Sequence, residues 1–212
     1  MLNELGKPLF KKLAQSIMYL PFFMSWTVVA MILYAFFDYE SGMINSILEA
    51  LKMSPLSFYD KPEWWPAILT VLRVWKTTGS GCILYLAVLV GIDTQLYEAA
   101  AIDGASRWQR MRFISLPLLM PTIVLVTLLA IGRIFYGDFG MIYTVVGDNA
   151  LLYPTTDVID TYIIRALQTT TNFGMSTAVG LSQSVMGFIC VFGSNWLVKK
   201  WSQARGEDYS LF

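Results

Sequence analysis

Residues Ile17 to Phe37 run for 21 positions without a charge. Three further stretches, 67–92, 116–135 and 175–198, are nearly as apolar. At about 1.5 Å per residue, each covers the roughly 30 Å hydrocarbon core of a bilayer. The chain therefore reads as an all-α membrane protein with four predicted spans. The second is the weakest, because its uncharged part, Thr77 to Ile92, is only 16 residues long. It must borrow from Ala67–Trp75 and accept Arg73 and Lys76 near one end.

Composition agrees. The 212 residues are 56% hydrophobic and only 14% charged, and the mean hydropathy is +0.55. Soluble domains carry about 25% charged residues. Net charge is zero, so no nucleic-acid footprint is visible. The chain has no histidine, which removes imidazole acid–base chemistry and imidazole metal ligation. Cys82 and Cys190 lie far apart in apolar stretches and read as buried thiols, neither a disulfide nor a metal pair. No metal site and no catalytic residue is expected. Lys7, Lys11 and Lys12 precede the first apolar run, but that run is too long for a signal-peptide core and no small-residue cleavage site follows it.

Lysine and arginine set the orientation. Segments 1–15, 93–115 and 199–212 hold three each, nine in all, whereas 38–66 and 137–174 hold two and one. Both termini and the 93–115 segment are thus expected in the cytoplasm of a multi-pass plasma-membrane protein. The outer loops carry acids, among them Asp38, Asp60, Asp138, Asp148, Asp157 and Asp160. Trp64 and Trp65 suit an outer aromatic belt, and Trp196 and Trp201 an inner one. Within the last outer loop, Asp157–Leu167 has apolar residues at helical spacing. It predicts a short amphipathic helix, ended by the polar run Gln168 to Asn172 and by Gly174.

Residues 93–117 form a polar island between two apolar runs. Asp93 or Thr94 can N-cap a helix through Ile102. Ala99, Ala100 and Ala101 give it a small, smooth face that fits a groove of another protein, and Glu98 adds one orienting charge. Asp103-Gly104 breaks the helix, glycine being free to take positive φ. Ser106-Arg107-Trp108-Gln109 reads as a capping box that starts a second helix, and Pro117 suits the first turn of the third span. The expected product is a helix-turn-helix knob, 94–113, joined rigidly to a spanning helix.

Glu98-Ala99-Ala100, Asp103-Gly104-Ala105, Ile114-Ser115-Leu116-Pro117 and Pro121 together resemble the EAA loop of binding-protein-dependent ABC importer permeases. Tyr19-Leu20-Pro21 with Ser25-Trp26, the Asp157–Arg165 stretch, Asn172-Phe173-Gly174, Ala178-Val179-Gly180-Leu181 and the terminal Leu211-Phe212 look like its carbohydrate branch. The resemblance covers nearly the whole chain. It implies a single type I ABC importer transmembrane domain over 1–212, with Glu98, Ala99, Ala100, Asp103, Gly104, Ala105 and Pro117 coupling it to a separate ATPase. It also implies a second permease subunit, ABC ATPase subunits, an extracytoplasmic solute-binding protein and a carbohydrate solute. Members of this branch have six spans against the four read here, so the chain resembles a permease short of its first two helices.

Ser176, Gly180, Gln183, Gly187 and Ser194 fall near one face of the last span. They read either as a polar lining for a sugar, with Gln183 reaching hydroxyls, or as small residues for helix packing. Arg133, near the outer end of the third span, reads as a solute contact, a partner for Asp138, or a side chain snorkelling to the interface. The phosphate-binding pattern G-x-x-x-x-G-K-[ST] is absent. Any ATP is therefore bound by a partner and the chain itself is not expected to be an enzyme. Two readings follow: a permease subunit of an ATP-driven carbohydrate importer, or a shortened, non-transporting remnant that binds an ATPase without forming a pore.

Overall fold

A computed structural model describes residues 8–170 and 173–203. Lys7, Asn172 and Leu211-Phe212, invoked above, lie outside the described residues, as does Arg205, one of the three basic residues counted in 199–212. Among those described, every regular element is helical. In order they are α1 (Pro8–Phe23), α2 (Trp26–Phe37), α3 (Met43–Ala50), α4 (Trp65–Val90), α5 (Thr94–Ile102), α6 (Arg107–Arg110), α7 (Leu116–Gly132), α8 (Phe139–Val145), α9 (Tyr153–Thr156), α10 (Ile159–Thr170) and α11 (Phe173–Gln203). Two helical stretches, Arg107–Gly132 and Phe173–Gln203, are each long and apolar enough to cross a membrane, and up to four spans result if each of two bent pairs counts as one.

The first bent pair corrects the reading of 17–37 as one helix. Ser16–Phe23 and Trp26–Phe37 meet at 102°. Pro21 lies inside α1, and Met24 N–H closes a turn onto its carbonyl at 3.2 Å. Ser25 then restarts the helix, its hydroxyl accepting from Val28 N–H at 3.2 Å. Lys76 donates to the Phe22 carbonyl at 3.1 Å and sits 5.1 Å over the Trp26 ring. An ammonium group thus serves an acceptor that the break frees.

The chain divides into two compact units. One comprises Met1–Ser80 and Tyr136–Gly180. Its core is Leu33, Trp65, Leu69, Met141, Ile142, Val145, Val146 and Leu152, flanked by Trp26 and Phe37. Trp65 is wholly buried, and its indole N–H donates to the Phe58 carbonyl at 2.9 Å. It is a core residue with a satisfied polar tip, not a belt residue; Trp64 beside it stays partly exposed. Helix α3 is held by buried Asn45, whose amide donates to the carbonyls of Leu56, Tyr39 and Asp38 and accepts from Leu56 N–H at 2.8 Å. Gly79 presses on the backbone of Met18 and Tyr19. Gly81 has open space around it. Helix α10 closes at Thr170, within the polar run that was expected to end it, with the Thr169 hydroxyl bonding back to the Arg165 carbonyl.

The other unit comprises Gly81–Phe135 and Leu181–Phe212. Here α11 meets α7 at glycines: a Cβ on Gly187 would lie 2.7 Å from the Gly132 carbonyl oxygen. Small residues allow this approach where lipid supplies no hydrophobic drive. Cys82 and Cys190 are free thiols and partly exposed, not buried.

Candidate coupling segment

Asp93 caps α5, its carboxylate accepting from Gln95 N–H at 2.9 Å. The C-terminus closes with Gly104 N–H on the Ala101 carbonyl at 3.1 Å and Ala105 N–H on the Ala100 carbonyl at 2.9 Å. Those two bonds, with Gly104 at φ 78°, form a Schellman cap, which requires a left-handed residue at that position. No atom lies within 4 Å of where a Gly104 Cβ would stand, so the requirement is backbone conformation and not space. The capping box that follows is complete: Ser106 N–H donates to Gln109 Oε1 at 2.8 Å and Gln109 N–H to Ser106 Oγ at 3.3 Å.

Pro117 lies in the first turn of α7, as expected, but that helix does not start afresh there. Arg107 to Gly132 is continuous over 26 residues, and Met111–Ser115 is a π-turn. Leu116 N–H reaches back five residues to the Met111 carbonyl. The wider turn admits a proline that lacks an N–H and crowds the preceding turn. The knob is therefore welded to the long helix without a break, and Pro121 follows inside it.

Glu98, Ala99, Asp103 and Gly104 are exposed, while Ala100 and Ala105 are half-buried. The structure thus gathers six of the seven expected coupling residues on one helix and its turn, and places Pro117 at the base of the long helix. It adds large apolar side chains that the sequence reading passed over. Ile102 is 87% exposed and Trp108 63%, and Leu96 and Phe113 are also exposed. An apolar residue inside a polar loop was the available signal. Between α5 and the π-turn, the Tyr97 hydroxyl and the Ser115 hydroxyl share a hydrogen bond of 2.8 Å.

The three path candidates are not alike. Gln183 is 3% exposed, and its amide donates to the Phe135 carbonyl at 2.8 Å. Arg133 is exposed and ends α7. Ser176 is half-buried near the start of α11. Asp138, offered as a mate for Arg133, lies 3.9 Å from Arg73. In the segment between α8 and α10, Arg165 pairs with Asp157 and stacks 4.0 Å over the Tyr153 ring, and the Tyr153 hydroxyl donates to Asp148. That bond raises the Tyr153 phenol above its ordinary value. The cleft these residues line has about 20 Å³ of room, enough for a water and too little for a sugar ring.

Among the described residues no group of acids and cysteines could hold a metal. The family model described as "binding-protein-dependent transport system inner membrane component" matches residues 4–203. Protein LplB of Bacillus subtilis is 38% identical over 96% of this chain and 63% of its own length. The polygalacturonan/rhamnogalacturonan transport system permease protein YteP of the same organism is 34% identical over the same shares. The chain thus spans 63% of the length of these curated relatives. A chain from the crystal structure of a bacterial alginate ABC transporter, in complex with an alginate pentasaccharide-bound periplasmic protein, superposes with a TM-score of 0.86. It is 32% identical, over 94% of this chain and 69% of that one. On these matches and its all-helical fold, that of a type I ABC importer permease, the chain belongs to the family of binding-protein-dependent transport system inner membrane components.

Proposed function

We propose that this chain is a permease subunit of an ATP-driven importer and forms part of the membrane path for an oligosaccharide or a polysaccharide-derived carbohydrate. The observation that carries the reading is the knob itself. A short helix, a left-handed glycine and a capping box are joined to a 26-residue helix that can cross the bilayer. The carbohydrate assignment leans on YteP, named for polygalacturonan and rhamnogalacturonan, and on the alginate transporter. The partners are two ATPase subunits, a second permease and an extracytoplasmic binding protein, with ATP bound by the ATPases and not by this chain. The positive loops set both termini and the knob in the cytoplasm.

In this reading Glu98, Ala99, Ala100, Asp103, Gly104 and Ala105, with Ile102 and Trp108 at the rim, enter a groove on the ATPase. Pro117 marks where the lever joins the span. Closure of the ATPases moves the knob, the long helix tilts, and the cavity switches between inward- and outward-facing states as a rigid-body transition. Arg133, Ser176 and Gln183 are our candidates for solute contact. Gly104→Pro, which cannot take φ 78°, and Glu98→Lys should each abolish solute-stimulated ATP turnover by the assembled complex and leave membrane insertion intact. Normal turnover in both variants would defeat the proposal.

A further inference from the structure

We infer that Tyr97 is a positioning residue for coupling: its hydroxyl, hydrogen-bonded to Ser115 at 2.8 Å, latches α5 onto the π-turn at the base of the long helix. The inference rests on the coupling role proposed above. Helix α5 is joined to α6 by the Asp103–Ser106 turn, whose Schellman cap and capping box are held by local hydrogen bonds. A second attachment, 18 residues apart in sequence, braces α5 directly against the base of the long helix, so that the two turn together.

Ser115 is arranged for this task. Hydroxyls elsewhere on these helices bond back to the carbonyl four residues earlier, as Thr127 does to Ile123 at 2.7 Å and Thr77 to Arg73 at 2.7 Å. That is the usual resort of a helical hydroxyl. Ser115 departs from it: it lies on the π-turn at the point where the lever joins the span, and its hydroxyl meets Tyr97 instead. Both residues are half-buried, so the bond is partly shielded from water.

The test uses the complex purified through a tag on this chain and reconstituted in liposomes, reading the ratio of solute-stimulated to solute-independent ATP turnover. Tyr97→Phe and Ser115→Ala should each lower the ratio by about three- to tenfold, the worth of one neutral hydrogen bond, while the same ATPase polypeptide still co-purifies. The double variant should be no worse than either single one, since both remove the same bond. Ser115→Thr, which keeps the hydroxyl, should hold the wild-type ratio. Should Tyr97→Phe fail to assemble, Ser115→Ala against Ser115→Thr decides the matter. A wild-type ratio in Ser115→Ala, or losses that multiply in the double variant, would overturn the latch. A wild-type complex with no solute stimulation would instead overturn the proposed function.

Discussion

Gly187 and Gly180 stand seven residues apart on α11, yet a methyl group would meet different surroundings at each. At Gly187 it would lie 2.7 Å from the Gly132 carbonyl oxygen, a backbone atom that cannot swing aside; at Gly180 it would meet nothing within 4 Å. Gly187→Ala should therefore cost about 1–3 kcal/mol as an overpacked contact, and Gly180→Ala close to nothing. Thermal unfolding of the isolated chain in detergent checks the pair; equal melting temperatures would remove the packing argument. Asp38, just past α2, is held down to about 2, chiefly by the Ser41 hydroxyl and then by Ser41 N–H. Because its folded value lies below the ordinary 3.8, its contribution is whole above that pH and is lost as pH falls toward about 2. Ser41→Ala should move the Asp38 titration back toward the ordinary carboxylate value, read from its side-chain carbonyl resonance. Packing by small residues was one of the two readings of Gly180 and Gly187, but which of the two meets a neighbour was not legible, since a carbonyl on a distant helix leaves no mark in local sequence. Trp65 teaches the same point: a tryptophan pair beside an apolar run looks like a belt, and only the fold shows that one ring fills the core.

At the scale of elements, what is locally encoded was readable and what is not was missed. The Asp93 cap, the left-handed Gly104 and the Ser106–Gln109 box each involve residues within a few positions, and all appear as expected. Proline carries two meanings here. Pro117 does sit in the first turn of α7, but the π-turn before it makes that helix continuous with α6. Pro21 gave no boundary inside its apolar run, but it precedes a 102° break. The break also depends on Lys76, fifty-four residues away from the carbonyl it serves, which no local pattern reveals. Lys76→Met keeps the apolar stem but leaves the Phe22 carbonyl without this donor. It should destabilise the α1–α2 corner by about 1 kcal/mol, with faster amide exchange around residues 22–28. Exchange at the wild-type rate would show that the corner holds without its ammonium cap.

At the scale of the whole molecule, many large apolar side chains are exposed among the described residues, and the 93–117 knob stands among them as a compact polar segment with both its helix ends capped. The composition and the four apolar runs made the membrane class plain. The family pattern marked the knob between two of those runs, and the lysine and arginine counts gave the side on which it is expected. What stayed hidden was mechanical: that the second arm of the knob and the span form one 26-residue helix from Arg107 to Gly132, and that α5 is also hydrogen-bonded to its base. If an ATP-driven partner grips this knob in the cytoplasm, a thiol placed on it has one predicted neighbourhood. Ala101→Cys, in a chain carrying Cys82→Ser and Cys190→Ser, should cross-link to the co-purifying ATPase and stay unlabelled by a membrane-impermeant maleimide applied outside intact cells. Labelling from outside, or no cross-link to any nucleotide-hydrolysing protein, would contradict the account.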